Sequence, residues 1–445
     1  MITPDYLDEI IKATEQVVAE NNEYIIKRIA KRIAATYRVD KDNLFIPATI
    51  NDMHKLMDAG MVFDEIEREI TKALPGIQNE VKKAFIKSAK EINDYNNDFA
   101  KKVVKVLKNN GQEIEVEIPD YSSEGLPTNT AQLHMTATEI RKLEQVYKST
   151  NQTVINYCKT MPSAGQTAYI NACDNAFLKV QSGISPNTAI VEAILEMAKQ
   201  GITTVSYDSG REDKIEVAVA RAVRTGVNKA NSEIVLTRAA EMGVGYVKVS
   251  AHLGARVTKR EDYTNHSYWQ GKVYSVDWSN PIMQKYRPTP EEEQNNIGNG
   301  FGWINKIKSA ISAIKTFIFG DTEKYPDFIE TCGYGKMLGI CGINCRHTFS
   351  AYVPGVQVED ETIIDTEENK KYYEMTQKQR SMERAIRQTK RELSALKASG
   401  IDTQEAKAEQ RRLRSLLEQQ AKKYSDFCSE NNLSRANWRL QTGVK

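Results

Sequence analysis

The sequence predicts a mainly α protein that carries a small α+β domain. Apolar residues recur at helical spacing over most of the 445 residues. A block at 250–355 differs, because glycine-rich turns separate its short β-like runs and it contains three of the five histidines and three of the six cysteines. We therefore expect an elongated helical N-terminal region, a compact, loop-rich α+β motif domain and a C-terminal helical hairpin.

Length and composition limit the class of protein. A chain of this length predicts two to four domains, and 40% hydrophobic residues provide for real cores. Charged residues reach 27% and the mean hydropathy is −0.53, which indicates much exposed helix. The predicted segments are 1–120 (helical, candidate partner-binding), 121–240 (helical), 241–357 (motif domain) and 358–445 (acidic linker and basic hairpin).

Cysteine count and hydropathy disfavour two classes of protein, and the net charge leaves a third open. The net charge of +2 does not by itself indicate a nucleic-acid partner. Six cysteines in a chain of this length do not form a disulfide scaffold, so we expect synthesis in a reducing cytosol. The N-terminus lacks a secretion signal, and no apolar run is long enough for a membrane span.

Helices are predicted through the N-terminal region. Thr3 and Pro4 form an N-cap and a first turn, and Pro75 is expected to interrupt the helical pattern. Charged and aliphatic residues alternate at 113–118, which predicts a half-exposed strand. The predicted helices of segments 1–240 are Thr3 to Tyr37, 52–72, 78–108, 131–148, 151–160, 165–180, 186–200 and 211–230, with a short β-like run at 201–207.

The motif domain begins with a predicted strand at 243–250 and includes an insertion at 278–323. An amphipathic helix is predicted in this insertion, with lysines on its other faces. We expect the helix to dock on its own domain or on a neighbouring subunit, and contact with a membrane is the alternative. Its apolar face consists of Ile304, Ile307, Ile311, Ile314 and Ile318.

A helical hairpin is predicted after the acidic linker. The first helix runs from about Lys370 to Ser399, and Asp402 with Glu405 predicts a capping box for the second. The first arm carries a local excess of positive charge, which is typical of a solvated helix face or of a DNA- or partner-binding surface. The candidate binding residues are Lys378, Arg380, Arg384, Arg387, Lys390 and Arg391.

Histidines and cysteines of the motif domain are candidate zinc ligands. The spacing Cys-x₃-Cys-x-His at 341–347 differs from regular zinc-finger spacing, and the alternative is that the cysteines are small buried hydrophobes and the histidines structural. A metal would be structural, because a loop-rich domain gains folding energy from a closed site. The candidate ligands are His252, His266, Cys341, Cys345 and His347.

Enzyme motifs are not found in the sequence. No acidic residue is placed beside the candidate ligands as in HExxH, and there is no GxSxG elbow or phosphate-binding GxxxxGK[ST]. Arg256 is the one charged residue in the small-residue turn HLGAR, and its predicted partner is either Asp327 or another protein. We therefore predict a protein that is not an enzyme.

Several blocks, in order, resemble the tailed-phage minor capsid protein 2 family, which is related to the Mu-F-type head morphogenesis proteins. Weaker similarity extends back to about Val180 and forward to Leu393, and the insertion at 278–323 departs from the family. The first 120 residues show no resemblance. The matching blocks are SAHLGAR (250–256), YWQGKVYS (268–275), YPDF (325–328), GYG (333–335) and CGINCRHTF (341–349).

This resemblance implies a structural minor head protein, present in several copies per particle and associated with the portal inside the capsid. It would act in head assembly and in DNA packaging or ejection, with the portal protein, other capsid proteins and packaged double-stranded DNA as partners. Its location would be the virion interior, after assembly in the host cytoplasm. The alternative functions are a metal-dependent hydrolase or nuclease, or an effector delivered with the phage genome.

Overall fold

The computed structural model describes residues 3–36, 48–120, 125–201, 205–206, 212–313, 325–357 and 364–442. Helical residues make up 72% of the residues that the structure describes, which confirms the mainly α class. The α-helices of these residues are α1 (Pro4–Thr36), α2 (Ala48–Asn109), α3 (Ala137–Lys159), α4 (Met161–Gln181), α5 (Pro186–Gln200), α6 (Ile215–Met242), α7 (His266–Trp269), α8 (Pro281–Gln284), α9 (Pro290–Asn296), α10 (Gly302–Ala313), α11 (Phe328–Cys332), α12 (Thr366–Ser399) and α13 (Gln404–Glu430).

The strands form two small antiparallel sheets. They are β1 (Val205–Ser206), β2 (Glu212–Asp213), β3 (Tyr246–Val249), β4 (Val273–Ser275) and β5 (Phe349–Ala351). β1 pairs with β2, whereas the second sheet has the order β4-β3-β5. In that sheet Val247 pairs with Tyr274 on one side and with Ala351 on the other. The strand predicted at 243–250 is confirmed as β3.

The chain divides into two compact units, each built from separated segments. Unit 1 contains the three-stranded sheet, and unit 2 contains the pair β1 and β2. Unit 1 consists of Met1–Lys12, Glu80–Gln152 and Arg221–Glu374, and unit 2 of Ala13–Asn79, Thr153–Ala220 and Met375–Lys445.

The two helices predicted on either side of Pro75 are one continuous helix, α2, so the predicted interruption is wrong. Proline lacks the N–H of one helical hydrogen bond, at a cost of about 3 kcal/mol. Ile70 and Ile77 are both buried, and burial of one such side chain contributes about 1.5–3 kcal/mol. Core packing before and after the proline therefore offsets the missing hydrogen bond.

Residues 113–118 keep the predicted alternation but do not form the predicted strand. Ile114 is buried, and Val116 and Ile118 pack against the core of unit 1. The segment therefore packs its aliphatic side chains on the core and exposes its charged side chains to solvent. It is not assigned as a strand in the described part of the chain.

The amphipathic helix predicted in the insertion is confirmed as α10. Ile304, Ile307 and Ile311 are buried in the hydrophobic core of unit 1, so this helix docks on its own unit. Ile314 and Ile318 lie outside the described residues. Among the helices that the structure describes, none combines the length and the apolar character needed to cross a membrane.

The predicted C-terminal hairpin is confirmed by contacts between α12 and α13. The Gln379 amide donates a hydrogen bond to the Cys428 sulfur at 3.4 Å, and the Tyr424 hydroxyl donates to the Glu383 carboxylate at 3.2 Å. Contacts that pair an early residue of one helix with a late residue of the other require antiparallel helices. Both contacts lie within unit 2.

The cap of the second hairpin helix differs from the prediction. Thr403, and not Asp402, is the N-cap of α13, and its side chain accepts a hydrogen bond from the Ala406 N–H. Asp402 instead forms an ion pair with Lys407 at 2.7 Å. The predicted capping box is therefore wrong by one residue, because Asp and Thr are both common N-cap residues.

Candidate functional site

The three-stranded sheet brings separate loops of unit 1 to one of its ends. The chain leaves β3 toward His252, enters β4 from Gln270 and enters β5 from His347. Because β3 is antiparallel to both neighbours, its C-terminal end lies beside the N-terminal ends of β4 and β5. The backbone pairing continues beyond the strands, where the Ser250 N–H donates to the Thr348 carbonyl at 2.9 Å.

Three of the predicted metal ligands meet at this end of the sheet. They are His266, Cys345 and His347, which we call the histidine–cysteine group. One ligand atom from each residue lies within 4.8 Å of the other two, and all three residues are buried. His347 is only 1% exposed. These side chains are the types that bind zinc, and they are close enough to share one ion.

The hydrogen bonds of the two histidines define which ring nitrogen carries the proton. His266 Nε2 lies 2.9 Å from the Leu338 carbonyl oxygen, and His347 Nε2 lies 3.1 Å from Gln270 Oε1. A carbonyl oxygen only accepts, so both Nε2 atoms are donors. Each neutral ring therefore keeps a lone pair on Nδ1, and His347 Nδ1 lies 3.8 Å from the Cys345 sulfur.

His252 lies against this group. Its ring stacks on the His347 ring, with 4.3 Å between centroids. His252 Nδ1 is 3.0 Å from the Leu253 carbonyl oxygen, which makes Nδ1 the protonated nitrogen. His252 Nε2 is buried and has no hydrogen-bond partner among the described residues. A buried lone pair without a donor is unfavourable, so this atom is suited to a ligand.

Cys341 is buried but is not part of the histidine–cysteine group. Its sulfur contacts the Asn228 side-chain oxygen and the His347 carbonyl oxygen, both at 3.8 Å. The Asn228 amide donates to the carbonyl oxygens of Cys345 and His347, at 3.2 and 3.0 Å. Of the two cysteines in the CGINC sequence, only Cys345 therefore directs its sulfur toward the histidines.

Burial keeps the group uncharged at neutral pH. It lowers the pKa of His266 to about 4 and that of His347 well below its usual value, and it raises the pKa of Cys345 to about 11. A protonated thiol is a weak nucleophile, and a histidine with so low a pKa is a poor general base near neutrality. This protonation favours a structural role over catalysis.

Two arginines hold the loops around the histidine–cysteine group through an ion pair and hydrogen bonds. Arg346, between the two inward-facing residues, forms an ion pair with buried Asp8 at 3.1 Å. Arg256 donates to the carbonyl oxygens of Leu338 and Ile343, at 3.3 and 3.4 Å. Backbone carbonyls are therefore the observed partners of Arg256, where the sequence left its partner open.

Three polar residues that position the site, Gln270, Asn228 and Asn369, were not predicted from the sequence. Buried Asn369 accepts hydrogen bonds from the backbone N–H groups of Gly254 and Ala255, at 2.7 and 3.0 Å. Gln270 had a signal, because it is a polar residue inside a matching block. The two asparagines lie in long helices and have no local signal.

Comparison with known protein families matches residues 2–425 of the chain to the family described as phage minor capsid protein 2. The chain belongs to this family. The match confirms the resemblance of the motif blocks and extends it over the first 120 residues, where the sequence showed none. This minor capsid protein is therefore a structural protein of the phage head, and the virion is its location.

A curated relative agrees with this assignment. The minor capsid protein is 37% identical over 84 residues to a protein named "Structural protein" from Lactococcus phage mv4. The aligned part covers 19% of this chain and 68% of that relative. No solved structure matches the minor capsid protein.

In this minor capsid protein, three of the six basic residues that were predicted to form a binding surface contact other residues of unit 2. Arg391 is buried and pairs with Glu216 at 2.8 Å. Arg387 and Lys390 donate to backbone carbonyls at 439–440, the bond from Lys390 being 2.8 Å long. These three side chains hold the C-terminal segment and α6; Arg391 is buried, and Arg387 and Lys390 are half-buried.

The other three residues of the predicted surface differ in exposure. Lys378 and Arg384 are exposed, and Arg380 is half-buried. The Lys378 ammonium lies 4.9 Å from the centre of the Phe427 ring, a cation–π contact that leaves the charge in water. The exposed part of the predicted surface is therefore smaller than the sequence indicated.

Proposed function

We propose that this minor capsid protein is an architectural component of the head interior that attaches to the portal. The observation that carries this proposal is an exposed apolar surface on α2, formed by Leu56, Met57 and Met61, of which Met57 is 61% exposed. Adjacent exposed apolar residues are typical of protein contacts, and methionine adapts to irregular partner surfaces. This surface lies within the segment predicted to bind a partner.

Substitution of this surface tests the portal contact. Met57→Glu/Met61→Glu places two charges where we expect an apolar interface, so co-purification with the portal protein should fall at least about tenfold. Leu178→Glu is the matched control, because Leu178 is an equally exposed apolar residue on α4. Equal capture of the double variant and the wild type by tagged portal protein would contradict the proposal.

The proposed role is not enzymatic. A catalytic zinc site needs an open coordination position and a general base. The histidine–cysteine group contains no carboxylate and is buried. These two features support an architectural function over the hydrolase, nuclease or effector alternatives.

We further propose that packaged DNA contacts the C-terminal hairpin. Lys378 and Arg384 are exposed on α12, and exposed Arg411, Arg414 and Lys423 lie on α13. Contacts from lysine and arginine to phosphates require no base sequence and weaken with salt. This contact fits a protein that occupies the capsid interior after its assembly in the host cytoplasm.

A further inference from the structure

We propose that the histidine–cysteine group and His252 together bind one structural zinc ion. The four ligands would be His252 Nε2, His266 Nδ1, Cys345 Sγ and His347 Nδ1. This site is independent of the portal contact proposed above, so failure of either test leaves the other unaffected. Four protein ligands close a tetrahedral site and leave no position for substrate, so the ion would stabilise the fold.

Distances support a shared ion. The Cys345 sulfur and His347 Nδ1 are 3.8 Å apart. Zinc bonds of about 2.3 Å to sulfur and about 2.0 Å to nitrogen place two tetrahedral ligand atoms about 3.5 Å apart. An ion between these two atoms therefore needs a shift of only a few tenths of an ångström. The ligand atoms of His266, Cys345 and His347 lie within 4.8 Å of one another. The fourth ligand, His252, contacts this group through its ring, whose centroid lies 4.3 Å from that of His347.

The protonated nitrogens have the arrangement that zinc-bound histidines need. A ligating histidine coordinates through one nitrogen and donates the other N–H to a carbonyl or carboxylate oxygen. His252 and His266 donate to the backbone carbonyls of Leu253 and Leu338. His347 donates to Gln270 Oε1. In all three rings the remaining nitrogen is therefore available as a ligand.

If no metal is bound, the contact between Cys345 and His347 is accounted for but the environment of His252 is not. The Cys345 thiol would donate its proton to His347 Nδ1, which accounts for the contact of these two residues. It leaves His252 Nε2 buried and without a hydrogen-bond partner in the part of the chain that the structure describes. Zinc satisfies that atom and displaces the thiol proton of Cys345 to solvent, so that one thiolate offsets part of the dipositive charge.

Zinc would connect three segments that are distant in sequence. His252 follows β3, His266 begins α7, and Cys345 with His347 precedes β5. The segment 333–347 contains no helix or strand, and Cys341 and Asn344 both have a left-handed backbone with φ of 58°. Metal bonds would supply folding energy where regular secondary structure supplies little.

Metal content of the full-length protein is the first test. Protein produced with zinc in the medium should contain about one zinc per chain by elemental mass spectrometry. Cys345→Ser and His266→Ala should each remove most of this zinc. Cys341→Ser is the matched control and should retain it, because the Cys341 sulfur points to Asn228. Loss of zinc in the control to the same extent would overturn the ligand assignment.

Cobalt substitution of the wild-type protein avoids variants that fail to fold. Co²⁺ added to metal-depleted protein should produce the intense visible bands of a tetrahedral site and a thiolate charge-transfer band. Zinc should then displace cobalt and abolish both. His252→Ala should weaken cobalt binding at least about tenfold, as expected when one ligand is removed. Wild-type protein that is isolated without zinc and gives no cobalt spectrum would overturn the proposal.

Discussion

Arg238 places a positive charge in the interior of unit 1, where it is 1% exposed. Its guanidinium lies 2.8 Å from the Glu139 carboxylate and 3.8 Å from that of Glu241. The Asn97 side-chain oxygen also accepts a hydrogen bond from it. Two buried carboxylates share one cation, so one of them is better accommodated as the neutral acid. Burial, with the adjacent charge of Glu139, raises the pKa of Glu241 above its usual 4.5.

Stability should therefore depend on pH through Glu241. The raised pKa means that the folded state binds a proton that the unfolded state releases above pH 4.5, so the free energy of unfolding falls as the pH rises toward neutrality. Glu241→Gln keeps the side chain as an acceptor for Thr136 and Asn296 and should flatten this dependence.

Urea unfolding at several pH values measures this effect. The exposed loop residue Glu261 provides a control, because Glu261→Gln should leave the slope unchanged. A wild-type free energy of unfolding that rises over the same pH range, or an unchanged slope in Glu241→Gln, contradicts the assignment.

Residue types alone identified part of the candidate site. His266, Cys345 and His347 are recognisable because several histidines and cysteines close together in a sequence are typical of a metal site. The orientation of Cys341, in contrast, depends on its contact with Asn228, which is 113 residues away in the sequence. Asn369 is equally remote from the loop that it holds. Long-range contacts of this kind leave no periodic pattern in the sequence.

At the scale of elements, helix α6 approaches α3 closely at Gly226. A Cβ atom added there would lie 2.2 Å from Thr150 Oγ1 and 3.0 Å from its Cβ. Threonine is β-branched and cannot easily rotate away. Glycine in a helix interior costs about 1 kcal/mol relative to alanine, so close packing is the physical reason for glycine at this position.

Gly226→Ala should destabilise the protein by about 1–3 kcal/mol, because the added methyl group forces α6 and α3 apart. Gly60→Ala in α2 is the matched control, since its Cβ would meet no atom within 4 Å. The control should stabilise by up to about 1 kcal/mol. Chemical denaturation of both variants distinguishes the two effects, and stabilisation by Gly226→Ala would refute the packing explanation.

Helix and strand types were largely predictable because apolar periodicity reflects burial directly. The hairpin, β3 and α10 follow from pattern alone. Pro75 and 113–118 were mispredicted for a related reason, since local rules describe backbone preferences and omit the tertiary packing that overrides them. Ile70 and Ile77 supply that packing in α2.

On the scale of the whole molecule, the net charge is small, but the basic residues differ in how exposed they are. Charges that are close in sequence differ in exposure even within one helix. Arg391 and Arg384 lie seven residues apart on α12, yet the first is buried and the second exposed. Only exposed charges contribute to binding a polyanion.

Binding to duplex DNA should weaken as salt is added, if the hairpin contacts phosphates. Lys378→Glu/Arg384→Glu should lower the affinity of the full-length protein and reduce the salt slope by about 2, because each substitution removes one phosphate-binding cation. Lys82→Glu/Lys105→Glu changes the net charge equally on exposed positions of α2 and should have little effect. Fluorescence anisotropy measures both variants, and salt-insensitive binding or none by the wild type rejects the DNA contact.

All six cysteines of the chain are buried free thiols. Maleimide dyes react with accessible sulfur, so the folded protein should remain unlabelled until a surface cysteine is introduced. Glu418→Cys on the exposed side of α13 would provide one attachment point. Fluorescent virions made with that variant would show under the microscope whether the protein stays in the emptied shell or enters the cell with the genome.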